Sequence, residues 1–157
     1  MENNLQSNIA MKNLLVTLDL KPSDSLLLDQ ASMIAEKFKS KIWMVHIAST
    51  DPEFIGYDMG PMYIRDFLAE ELRTEHRQLQ SYAEELHKRS IVAEGLLIEG
   101  PTKEMILNEV TKLHIDLLII GSHKHGFLYE TFVGHTAVKM IGSLRIPLMI
   151  VPLPEEK

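Results

Sequence analysis

Residues 115–126 read IDLLIIGSHKHG. An apolar run, interrupted only by Asp116, stops at Gly121 and gives way to Ser122, His123, Lys124 and His125. The run does not alternate polar with apolar, so both of its faces are destined for burial, as in a strand inside a parallel sheet. A glycine directly after such a strand lets a ligand approach the backbone with no Cβ in the way. Gly134 then opens the next helix, from His135 to about Leu144. A helix start presents unpaired N–H groups and the positive end of the helix dipole, both suited to an anion. Strand, glycine-rich loop and glycine at a helix start are the parts of a phosphate cradle. The same glycines also serve a plain tight loop, and spacing alone does not separate the two readings.

Working outward, four more apolar runs read as buried strands: Asn13 to Leu18, Ile42 to Ile47, Ile91 to Glu99, and Ile146 to Val151 closed by Pro152. Amphipathic segments lie between them. Ser23 or Asp24 is placed to cap a helix running to about Ser40, with Leu27, Ala31, Ile34, Ala35 and Phe38 as its apolar stripe. Residues 48–63, with Pro52, Gly56, Gly60 and Pro61, form a long loop. A long helix follows from about Tyr63 to Arg89, its stripe including Phe67, Leu68, Leu72, Leu79, Tyr82, Ala83 and Leu86. Its opposite face carries Glu70, Glu71, Arg73, Glu75, Arg77, Glu84 and Glu85, the pattern of a solvated surface. After Gly100 and Pro101, a helix from Thr102 to Leu113 turns Met105, Ile106 and Val110 inward.

Strands alternating with helices predict an α/β fold: a single open parallel five-stranded sheet, order 3-2-1-4-5, with helices on both faces in the Rossmann-like manner. That order sets strands one and four side by side, and a ligand crevice is expected where the order reverses, between Asp19 and Gly121.

The 157 residues make one domain, with a polar, frayed leader over 1–10 and the domain over 11–154. A net charge of −6 argues against a non-specific nucleic-acid binder. The absence of cysteine removes disulfides and thiolate metal sites. The first ten residues lack the apolar core of a signal peptide, and no apolar run reaches the ~20 residues of a membrane span, so a cytoplasmic protein is expected. His123, His125 and His135 invite a zinc reading, but no carboxylate at ligand spacing supports them and no metal site is assigned. No Gly-x-Ser-x-Gly elbow, cysteine nucleophile or P-loop is present, so no catalytic residue is named and turnover is expected to be at most slow ATP hydrolysis.

The run GSHKHGFLYETFVGHTAVKMIGSLRIPLMIVP from Gly121 to Pro152 resembles the carboxyl-terminal signature of the universal stress protein family, G-x2-G-x9-G-[ST] followed by a helix and a proline-containing strand. LLVTLD at Leu14–Asp19, MVHI at Met44–Ile47, EGPTKEMI at Glu99–Ile106 and DLLIIGSH at Asp116–His123 are similar to further motifs of that family, in the same order. The resemblance implies a sheet of the adenine nucleotide alpha hydrolase type. It implies an adenosine end held by Asp19, His46 and Ile47, and ribose and phosphates held around Gly121, Ser122, Lys124, Gly134, His135 and Thr136. It also implies ATP with Mg²⁺ as the ligand, and a homodimer through the last strand, at Leu148, Met149, Ile150 and Val151. Two positions depart from the signature: Lys124 stands at its second glycine and His135 at its Ser/Thr. Lysine removes the bare backbone but adds a cation that reaches phosphate. Histidine replaces the hydroxyl donor with an imidazole, beside Thr136.

Three functions follow from this reading. The first is a stress-response regulator that binds an adenine nucleotide and then presents a protein partner with a changed surface. The second is a ligand-free dimeric interaction module. The third, with least support, is a small phosphohydrolase. Met59, Met62 and Tyr63 are candidate partner contacts, since methionine adapts to varied surfaces.

Overall fold

The computed structural model describes residues 10–48, 61–122 and 142–154. The elements, in chain order, are β1 (Asn13–Thr17), α1 (Asp24–Phe38), β2 (Lys41–Ala48), α2 (Pro61–Lys88), β3 (Ala93–Glu99), α3 (Thr102–Lys112), β4 (Leu117–Ser122) and β5 (Leu148–Pro152). The strands form one sheet in the order β3-β2-β1-β4-β5, and every neighbouring pair is parallel. The fold expected from the sequence is the fold observed.

Alternate residues of each strand supply the two faces of the core. Leu14, Val16, Ile42, Met44, Leu117 and Ile119 pack with α1 and α2. Leu15, Val45, Leu118 and Ile120 pack with Ile106 of α3. The split follows from handedness. Going from β1 to β3 the chain moves across the sheet in one direction, so right-handed crossovers place α1 and α2 on one face. From β3 to β4 it returns, which places α3 on the other. One glycine shapes the two-helix face. A Cβ at Gly95 of β3 would lie 2.8 Å from the Leu79 Cβ, so the bare glycine lets α2 rest directly on the strand.

The central seam joins β1 to β4 through three registered pairs, Leu14–Leu117, Leu15–Leu118 and Val16–Ile119. Its amino end is pinned by the Asp116 carboxylate, which accepts hydrogen bonds from the Lys12 and Asn13 amides at 2.7 and 2.9 Å.

Several local expectations need correction. Ser23 is the N-cap of α1, but its backbone is already helical and its hydroxyl makes no cap bond. A capping side chain reaches the free N–H groups from an extended backbone, which Ser23 lacks. Phe38 is exposed: it is the last residue of α1, where the chain leaves for β2 through a left-handed Lys39. Phe67 and Leu68 are also exposed, unlike Leu79, Ala83 and Leu86 of the same helix. The strands predicted to begin at Ile91, Ile115 and Ile146 begin two residues later, since those isoleucines pack as lead-in residues before strand pairing starts. Among the described residues no helix is long and apolar enough to cross a membrane.

Candidate functional site

At the carboxyl end of the seam the chain leaves β1 at Thr17, and the Leu18 amide still donates to the Val45 carbonyl at 2.9 Å. Here a pocket of about 50 Å³ opens between Thr17, Asp19, His46 and Ile47 on the strand side and Thr102 and Ile106 of α3. Thr17 is only 4% exposed, and its Oγ1 has no hydrogen-bond partner. A buried hydroxyl without a partner is costly in a finished core. On the wall of a pocket it is open to a water or a ligand atom. α3 brings its first turn to the same place. Pro101 cannot cap that turn with its side chain, so the leading N–H groups of α3 are not taken up by a cap.

His46 fixes the strand ends. Its Nδ1 lies 2.7 Å from the Leu18 carbonyl oxygen, which only accepts, so Nδ1 carries the hydrogen. Nε2 faces Glu75 Oε1 of α2 at 3.5 Å. The imidazole thus ties β1 to α2, while the His46 and Ile47 backbone borders the pocket.

The turn after Asp19 is gripped from the same helix. Leu20 has a φ of 60°, a left-handed conformation that a branched side chain adopts only at a cost of about 1–3 kcal/mol. The Gln78 Nε2 donates to the Leu20 carbonyl at 3.2 Å and to the Tyr82 hydroxyl oxygen at 3.1 Å. Glu75, Gln78 and Tyr82 lie three and four residues apart, so they stand on one face of α2. From inside the turn, Asp24 Oδ1 accepts the Asp19 amide at 3.2 Å. Asp24 is 1% exposed, and its Oδ2 has no partner. Burial pushes its carboxyl above the usual carboxylate range, against the lowering effect of the Asp19 amide. Burial likewise raises the Tyr82 phenol.

Of the residues singled out from the sequence, the structure brings Asp19, His46 and Ile47 together on one pocket. Gly121 and Ser122 are not loop residues: they are the last two residues of β4, paired with Val151 and Pro152. The space a Gly121 side chain would take is filled by Leu153, with Leu27 Cδ1 3.3 Å away. The glycine therefore serves close packing on the α1 face. His123, Lys124, His125, Gly134, His135, Thr136 and Met59 lie outside the described residues, as does the Tyr63 side chain. Met62 is exposed. The residues missed from sequence are Thr17, Asp24, Gln78 and Thr102. Thr17 was recognisable as the lone hydroxyl in an apolar strand ending beside Asp19. Gln78 carried no such signal, because its role depends on where α2 lies.

The sequence profile of the universal stress protein family matches residues 11–152. Universal stress protein C of Escherichia coli K12 is 30% identical over 148 residues, covering 92% of this chain and 98% of its own. Among solved structures, the universal stress protein from Archaeoglobus fulgidus in complex with dAMP has a TM-score of 0.57 at 16% identity, covering 92% of this chain and 99% of that one. A universal stress protein family protein from Arabidopsis thaliana with AMP bound has a TM-score of 0.56 at 16% identity, covering 90% and 91%. A parallel sheet in the order 3-2-1-4-5, a pocket at the carboxyl ends of its inner strands β1 and β2 and a profile match over nearly the whole length agree: the chain belongs to the universal stress protein family.

Proposed function

We propose that this protein is a stress-response regulator that binds an adenine nucleotide in the crevice at the carboxyl ends of β1 and β4. The observation that carries the reading is the unpartnered Thr17 hydroxyl on a small pocket between the carboxyl ends of β1 and β2 and the first turn of α3, beside the switch point of the sheet. A pocket of about 50 Å³ admits the edge of a planar base rather than a whole nucleotide. The base edge meets Thr17, Asp19 and the His46–Ile47 backbone. Ribose and phosphates are assigned to Ser122, Lys124, Gly134, His135 and Thr136 on the strength of the family signature alone. Solved relatives with AMP and dAMP support the adenine class. ATP is the proposed ligand, with Mg²⁺ carried by its phosphates: among the described residues no group of three His, Cys, Asp or Glu is placed to hold a metal, and Mg²⁺ typically binds through substrate phosphates and water. The proposed setting is the cytoplasm.

Calorimetric titration of nucleotide-free protein with ATP plus Mg²⁺, beside AMP, tests the proposal. Saturable one-to-one binding, weakened by Thr17→Val, is expected. Absence of heat and of any melting shift with both nucleotides would overturn it.

A second reading, a homodimer through β5, is favoured by one observation. β5 is an edge strand, and Ile150 on it is 44% exposed. An exposed apolar side chain on an unpaired edge suits a second copy. Leu148 and Met149 are half-buried, whereas Val151 already packs in the chain's own core, so it contributes backbone rather than side chain to such a contact. Ile150→Glu is expected to give monomers in analytical ultracentrifugation; an unchanged dimer would exclude this edge.

A further inference from the structure

A second hollow lies in the α1–α2 layer, on the sheet face away from α3. Its volume is about 290 Å³, roughly twice the ~150 Å³ of an apolar cavity that takes up benzene. Leu28 and Leu86 line it and are buried. Tyr82 and Glu85 of α2 and Asp29 of α1 stand around it.

Its rim carries two carboxylates, Asp29 and Glu85, and one guanidinium, Arg89. Arg89, also on the hollow, is one helical turn beyond Glu85 and in reach of it. Its guanidinium turns instead toward α1, 4.0 Å from Asp29 and 2.9 Å from Glu36. Asp29 and Glu36 thus take up the hollow's one cation, and Glu85 has no ion-pair partner among the described residues. Burial raises the Tyr82 phenol, the Gln78 hydrogen bond opposes it, and the Asp24 and Glu85 carboxyl groups add to the rise. The hollow is apolar at its floor, and its rim carries one more carboxylate than cation.

We propose that this groove is a binding site for a small organic amine, its ammonium group on Glu85 and its apolar body on Leu28 and Leu86. A carboxylate with no cation of its own donates nothing and accepts a charge-assisted hydrogen bond from an ammonium. A neutral isostere keeps only the apolar contact, and an anionic one meets repulsion from Glu85. The hollow shares no lining residue with the crevice.

The test is amide NMR of the full chain titrated with phenethylamine, beside the isosteric phenylethanol and phenylacetate. Saturable shifts centred on Ser25, Leu28, Tyr82 and Leu86 are expected for the amine, with the alcohol at least about tenfold weaker and the acid weaker still. Glu85→Gln is expected to lower amine affinity to that of the alcohol and leave the alcohol unchanged. Ser25→Trp, at an exposed position bordering the groove, fills the space and removes both. Equal affinity for amine and alcohol, amine affinity unchanged in Glu85→Gln, or shifts that spread over the acidic surface without saturating would each overturn the proposal.

Discussion

The two halves of α2 share one amphipathic sequence pattern and have opposite fates. In the carboxyl-terminal half Leu79, Ala83 and Leu86 are buried against the sheet, and Gln78 and Tyr82 hold the β1–α1 turn. In the amino-terminal half Met62, Phe67 and Leu68 stand in solvent. Length explains the contrast. The 28 residues of α2 extend about 42 Å at ~1.5 Å per residue. The seven residues of β3 cover only about 23 Å at ~3.3 Å per residue. A helical period fixes which side chains share a face. Whether that face is covered depends on how far the partner element reaches.

The contrast can be broken or sharpened by substitution. Leu79→Ala removes a fully buried side chain and is expected to cost about 2–5 kcal/mol in urea unfolding; a cost near zero would mean that α2 does not rest on Gly95 as described. Gln78→Leu removes the donor to the strained turn and is expected to cost about 1 kcal/mol, with a shift of the Asp19 amide resonance. An unmoved Asp19 amide would show that α2 does not hold the turn. Asp24→Asn tests the same grip by pH. The Asp24 carboxyl titrates higher in the folded chain than in the unfolded one, so the folded state binds its proton more tightly. That contribution to stability is fully present below the ordinary carboxylate value and is lost as pH rises through the raised one. The asparagine variant, which keeps the Oδ1 acceptor, is expected to lack this decline and to melt no lower than the parent at neutral pH. A parallel decline in both proteins would remove Asp24 as its source. Phe67→Ala, in the uncovered half, is expected to change stability by no more than about 0.5 kcal/mol. A loss comparable to that of Leu79→Ala would mean that something covers this half in solution.

The sheet order was legible because continuous apolar runs at Leu14, Ile42 and Leu117 leave little choice once crossovers must be right-handed. Asp19 was legible as a strand end at the switch point, where ligands bind, whereas His46 and Ile47 came from the family resemblance alone; the structure brings the three to one pocket. Gly121 was read for the right feature and the wrong neighbour. Sequence shows that a side chain is absent, but only packing shows that Leu153 occupies the space. The grip on Leu20 was illegible, since Gln78 lies 58 residues away and a polar residue on a helix looks the same whether it meets solvent or a carbonyl. Phe67 and Leu68 were misplaced because periodicity carries no information about strand length.

The short seam between β1 and β4 has a kinetic consequence. β1, β2 and β3 are joined through α1 and α2, whereas Asn13 and Asp116, which meet at the seam, are 103 residues apart. The protein is thus two wings that meet along three residue pairs and through core side chains on both faces of the sheet, latched at one end by Asp116 and open at the other to the crevice. A molecule lodged at the open end acts as the second latch. Sub-global opening that parts the wings must then await its departure, so exchange of the Leu117, Leu118 and Ile119 amides with deuterium is expected to slow in proportion to occupancy. Amides on the outer strand β3 respond less, because that strand can fray without the wings separating.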